Sequence, residues 1–216
     1  LWTYNFIPDY GPFRQGFQQG RYYGLSGDAG LLMCTWPLGG LRSDFKKHWQ
    51  YQYFNEFMTG FEYQVAAHMV AERDSDLVEK GLAITRSIHD RYSAKRGRNP
   101  YNEIECSDHY ARAGSAYAVF LAVCGFEYDQ SCGRLAFNPV IQVEDFKAPF
   151  TTSRAWGTFE QKPGKVTLTL THGELSLNEL QIGQFKGKRP EVTLNGSSVS
   201  IDQLHLKDGD VLKLTI

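Results

Sequence analysis

The stretch Asn99-Pro100-Tyr101-Asn102-Glu103-Ile104-Glu105-Cys106-Ser107-Asp108-His109-Tyr110-Ala111-Arg112 places three carboxylates, a histidine, a thiol, two tyrosines and an arginine within fourteen residues. Ile104, Cys106 and Tyr110 stand between the charges, and such residues prefer burial, so the segment reads as a partly buried polar site and not as a solvated loop. Asn99-Pro100 marks a turn, because the residue before a proline is pushed out of the helical region. If Glu103 to Glu105 is extended, the period of two sets both carboxylates on one face, roughly 6.5 to 7 Å apart. Ser107 or Asp108 can then N-cap a helix through Tyr110, Ala113, Tyr117, Leu121 and Cys124, with Gly125 ending it. Arg112 comes one turn into that helix. From there its guanidinium can turn back toward the loop carboxylates and a polar ligand.

Two more helices precede this stretch. Phe54 to Glu72 carries Phe54, Phe57, Met58, Phe61, Val65 and Met69 at three- and four-residue steps, the mark of an amphipathic helix. Glu56 and Glu62 are its candidate functional carboxylates, with a solvated face as the bland alternative, stronger for Glu62. His68 lies among alanines and reads as a satisfied core histidine. Asp74-Ser75-Asp76 caps a second helix through Leu77, Leu82, Ile84 and Ile88 to about Tyr92. Long helix, tight turn, long helix, loop, helix is the pattern of antiparallel helical hairpins.

At the start, Leu1 to Tyr23 is crowded with aromatics and broken by proline and glycine. It fits neither helical nor strand period and reads as an irregular aromatic loop. Gly24 to Trp36 is small and apolar, permitting close helix or backbone approach, and ends at Pro37. Composition changes after about Cys132. Val166, Leu168 and Leu170 alternate with Thr167, Thr169 and Thr171; Asn195-Gly196 is a hairpin turn signal and Asp208-Gly209 a second turn. The expected class is therefore α+β, with residues 1–132 helical and residues 133–216 an antiparallel β domain.

The bulk numbers narrow the function. With 216 residues, 42% hydrophobic and 22% charged, the chain is ordinary for one or two folded domains. A net charge of -1 and a basic run as short as Lys95-Arg96-Gly97-Arg98, which reads as a solvated turn, give nucleic acid little to hold. Aromatics at 14% suit sugar stacking but also large cores. Cys34, Cys106, Cys124 and Cys132 show no CxxC spacing, which argues against zinc and favours buried free thiols over disulfides. No Asp-x-Asp-x-Asp-Gly pattern suggests calcium, and the reading calls for no metal and no cofactor. No apolar run has the length of a membrane span, and no segment of the chain reads as a signal peptide. Leu1, not Met, opens a segment that reads as the interior of a domain, so an N-terminal portion is expected to be missing.

Three runs together resemble one family. Gly30-Leu31-Leu32-Met33-Cys34-Thr35-Trp36-Pro37, Glu56-Phe57-Met58-Thr59-Gly60-Phe61-Glu62-Tyr63-Gln64-Val65 and Asn99 to Arg112 resemble, in order and at similar separations, the C-terminal part of the catalytic domain of glycoside hydrolase family 116. That family includes the non-lysosomal glucosylceramidases and bacterial β-glucosidases. The likeness covers Gly24 to Tyr128 well and the β half more loosely. It implies the last helical hairpins of an (α/α)6 barrel and retaining hydrolysis of β-glucosides. Retention needs two carboxyls roughly 5 to 5.5 Å apart. In the family both lie upstream of the runs matched here, and no segment of this chain resembles either, so no catalytic residue is assigned. Sugar recognition does carry over. Glu103 and Arg112 match the glutamate and arginine that hold glucose hydroxyls, and Glu56 matches a helix-start glutamate lining the same pocket. Met58 stands where the family commonly has tryptophan.

The expected partners are a β-glucoside and the missing N-terminal portion of the same enzyme. A non-catalytic carbohydrate-binding or assembly module is the alternative of a different class. Another glycosidase or a polysaccharide lyase on a helical toroid remains open, since fold does not fix function. It would need Glu103 and Glu105 as its catalytic pair, and Arg112 beside Glu103 opposes that by holding the carboxylate ionised. A purely structural Glu103–Arg112 ion pair is the bland alternative to sugar recognition by those two residues.

Overall fold

The computed structural model describes residues 1–15, 23–35, 54–92 and 112–216. The protein is mixed α and β, with several helices and a large antiparallel sheet. It divides into two compact units, Leu1–Phe120 and Leu121–Ile216.

In the first unit the aromatic start is more regular than its sequence suggests. It forms helix α1 (Trp2–Asn5), strand β1 (Phe6–Ile7) and helix α2 (Tyr10–Gln15). Trp2 stacks on Phe6 with ring centres 4.1 Å apart, and β1 pairs antiparallel with β2 (Gly30–Leu31), Phe6 opposite Leu31. Tertiary pairing supplies the backbone partners that a local pattern could not reveal. Tyr10, Leu32 and Phe57 form a buried cluster against which Ile7 and Phe13 pack.

Helices α3 (Thr59–Ala71) and α4 (Ser75–Arg91) make the expected hairpin, burying Ala66 and Val70 of one and Ile84 and Ile88 of the other. Asp74 caps α4 as expected, its Oδ1 accepting from the amides of Asp76 and Leu77 at 3.1 Å each. Helix α3 does not run from Phe54. The backbone before it is engaged elsewhere: Met33 N–H donates to the Glu56 carbonyl at 3.0 Å, Cys34 N–H to the Phe54 carbonyl at 3.2 Å, and Leu32 bridges Phe57. His68 is not in the core. It is exposed and meets Glu72 one turn on, 2.9 Å away.

Arg112–Ser115 forms a 3-10 turn leading into α5 (Ala116–Cys124), which ends at Gly125 in the left-handed region (φ +55°), as the sequence suggests. The candidate caps Ser107 and Asp108 lie outside the described residues. The division between units falls twelve residues before the compositional change at Cys132. Val123 and Cys124 belong to the β unit's core, and their carbonyls accept from Val140 and Asn138 N–H at 3.0 Å each.

The second unit holds β3 (Glu127–Asp129), β4 (Arg134–Phe137), β5 (Phe146–Thr151), β6 (Ala155–Lys162), β7 (Lys165–Gly173), β8 (Leu175–Leu177), β9 (Glu179–Ile182), β10 (Glu191–Leu194), β11 (Ser197–Ser198), β12 (Leu204–Leu206) and β13 (Val211–Thr215). A six-stranded antiparallel sheet runs in the order β11-β10-β13-β7-β6-β5. Val166, Leu168 and Leu170 face inward as their alternation requires, with Leu214 opposite Val166 and Leu212 opposite Leu168. Phe137 stacks on Phe159 with centres 4.1 Å apart inside this core. Asn195-Gly196 closes the β10–β11 hairpin, both residues at positive φ (50° and 87°). The unit is not wholly antiparallel, because in the sheet β3-β4-β9 strands β4 and β9 run parallel. A parallel pair needs a long crossover, and the excursion through β5 to β8 provides it.

Among the described residues no helix is long and apolar enough to cross a membrane. Cys34, Cys124 and Cys132 are free thiols. Cys124 is buried, which pushes its thiol up to about 11, whereas Cys132 is exposed, contrary to the expectation of burial.

Candidate functional site

The carboxylates before and within α3 are both buried, Glu56 with 4% and Glu62 with 1% of its surface exposed, so the solvated-face alternative fails for each. They do different things.

Glu62 faces Arg91 at the end of α4. Arg91 Nη1 lies 3.1 Å from Oε1, and Nη2 donates to Oε2. Two backbone groups complete the arrangement: Leu31 N–H donates to Glu62 Oε1 at 2.8 Å, and Arg91 Nη1 donates to the Ala29 carbonyl at 2.8 Å. The guanidinium also lies 5.0 Å from the centre of the Phe57 ring. Glu62 holds Arg91 protonated, its pKa raised despite burial. Gly30 makes room for this, since a Cβ there would lie 2.5 Å from Arg91 Nη1. With its charges and lone pairs answered by the chain, this group fastens β2 to the helical hairpin.

Glu56 sits in the link before α3. Gly24 N–H donates to its Oε2 at 3.3 Å, and the Tyr10 hydroxyl, which donates to the Asn55 carbonyl, also bonds the carboxyl. Burial raises its pKa from 4.5 to about 7, outweighing the opposing pull of Gly24, Tyr10, the Arg14 charge and the Tyr23 backbone. A carboxyl so placed holds or releases a proton near neutrality.

Arg112 opens the 3-10 turn and is half-buried. A Cβ on Gly60 would lie 3.7 Å from both Cβ and Cγ of Arg112, so the arginine stem rests on the first turn of α3, close in sequence to Glu56. Glu103, the third expected sugar-binding residue, lies outside the described residues, as do Glu105, Cys106 and His109. Met58 is buried and immediately precedes α3.

Sequence reasoning missed Tyr10 and Arg91. Arg91 follows Glu62 by 29 positions, and no local pattern links them. The available signal was an arginine closing an otherwise core-facing helix end. Among the described residues no group of three or more His, Cys, Asp or Glu side chains could hold a metal ion. No protein-family model matches the chain, and no curated protein matches it.

Proposed function

We propose that this chain is the C-terminal portion of a retaining β-glucosidase of the family 116 type, and that it supplies glucose recognition through Glu103, Arg112 and Glu56. The nucleophile and acid/base of that reaction belong to a segment upstream of this one, within an (α/α)6 barrel to which α3 and α4 contribute a hairpin. A carboxylate and a guanidinium offer complementary acceptors and donors to vicinal hydroxyls, and charge strengthens such bonds. A buried site of this kind rejects an epimer by leaving a polar group unpaired.

The observation that supports this reading is the seating of the Arg112 stem on Gly60, beside the start of α3, four positions after the buried Glu56. Two of the three runs that carry the family resemblance thus meet in space. The test is hydrolysis of an aryl β-glucoside by the enzyme containing this chain. Glu103→Gln and Arg112→Ala are expected to lower kcat/KM about a hundredfold, or roughly 2.7 kcal/mol, with the fold retained by circular dichroism. Full activity in either variant would overturn the assignment.

A further inference from the structure

The second unit contains a cleft of about 1080 Å³ that the glucoside reading does not use. Residues of two sheets line it: Phe137 of β4 with Leu180 and Ile182 of β9, and Val192 of β10 with Leu214 of β13. Leu180, Val192, Val199 and Ile201 are half-buried and pack against the core, whereas Phe137, Phe185 and Leu214 belong to the core itself. The hollow therefore reaches from the surface into the apolar interior. Positive charge dominates its margin, where Lys186, Lys188 and Arg189 are all exposed. Of the two acids lining it, Glu127 is paired with Arg134 at 2.8 Å, which leaves Asp202 against three cations.

Mostly apolar walls with a few charged groups at the mouth are what small-molecule pockets share. The walls favour hydrocarbon, in proportion to the surface it withdraws from water. A sugar would leave its hydroxyls unpaired against them. The three cations fix the sign of the ligand's other end, because a positive margin draws an anion. One alkyl chain ending in one anionic group answers both demands. A flat acidic surface would meet the exposed cations but leave the hollow behind them unfilled.

We propose that this cleft binds a monomeric long-chain carboxylate, its alkyl tail between the two sheets and its carboxylate at Lys186, Lys188 and Arg189. The proposal is independent of the glucoside reading, and its test does not involve activity. Dodecanoate, kept below its micelle concentration, is titrated into the full chain and followed by calorimetry. One-site binding with Kd on the order of 10 to 100 μM is expected, weakening as salt rises. Decanoate and octanoate should bind more weakly in turn, by about two- to fourfold for each methylene removed. The Lys186→Glu, Lys188→Glu, Arg189→Glu triple variant, altered at exposed positions alone, should bind dodecanoate about tenfold more weakly and dodecyltrimethylammonium more tightly. Its urea midpoint checks its fold. Affinity that ignores chain length, or equal dodecanoate binding by the parent and the folded triple variant, would overturn the proposal. So would no saturation at about 1 mM dodecanoate, or uptake onto phosphatidylserine vesicles without binding of the monomer.

Discussion

Arg91 at the end of α4 grips the Glu62 carboxylate of α3 with both terminal nitrogens, and the two side chains are 2% and 1% exposed. A buried pair is costly to form, but removing one partner leaves the other charge stranded. Glu62→Gln or Arg91→Ala is therefore expected to cost about 3 to 5 kcal/mol. Glu62→Leu combined with Arg91→Met should cost less than either single change. Urea unfolding of the full chain measures this, and a loss below about 1 kcal/mol in the single variants would remove the pair from the fold's essential contacts.

The raised pKa of Glu56 makes a signed prediction. Between 4.5 and about 7 the folded chain keeps a proton that the unfolded chain has released. The associated stability is complete below the unfolded value and is lost as pH rises through the folded one. The span is about 3 kcal/mol. Glu56→Gln should abolish this dependence, stabilising the protein at pH near 8 relative to the parent and not at pH near 4. Thermal unfolding of both proteins at the two pH values decides it, and an identical difference at each would contradict the prediction.

Gly30 is a spacer for the ion pair. A Cβ added there would lie 2.5 Å from Arg91 Nη1 and 2.7 Å from two Phe57 ring carbons. Gly30→Ala is expected to destabilise by about 1 to 3 kcal/mol. Because the clash involves Arg91, the effect should shrink in an Arg91→Ala background, and strict additivity in that double-mutant cycle would show that Gly30 acts elsewhere.

The second unit has its own core, in which Phe137, Phe159, Leu168 and Leu212 are all fully buried. Residues 116–216 expressed alone should fold with a cooperative denaturant transition. Phe159→Ala, which removes the ring stacked 4.1 Å from Phe137, should then cost about 3 to 5 kcal/mol. A gradual, non-cooperative transition in the parent segment would show that its stability depends on the first unit.

The hairpin α3–α4, the Asp74 cap, the Gly125 stop and the Asn195-Gly196 turn are legible in the sequence because each is a local matter. Their residues lie within a few positions of the groups they satisfy. The Leu1 to Tyr23 segment and the start of α3 are not legible in this way. Their backbone bonds go to Leu31, Met33 and Cys34, whose approach no periodicity announces. The candidate site divides along the same line. Glu56 and Arg112 stand out by type and by family likeness, while Tyr10, which shares the Glu56 carboxyl, looks like one aromatic among many.

By itself the sequence determined two compositional halves, helical and then β, and the alternation that buries Val166, Leu168 and Leu170. Burial follows from a repeating pattern of side chains, and a pattern is a property of the chain alone. Only the tertiary structure decided that Glu62 is an anchor and not a surface charge, and that Glu56 holds its proton near neutrality. Each of those depends on how much water and which charges surround a group, and distant segments set both.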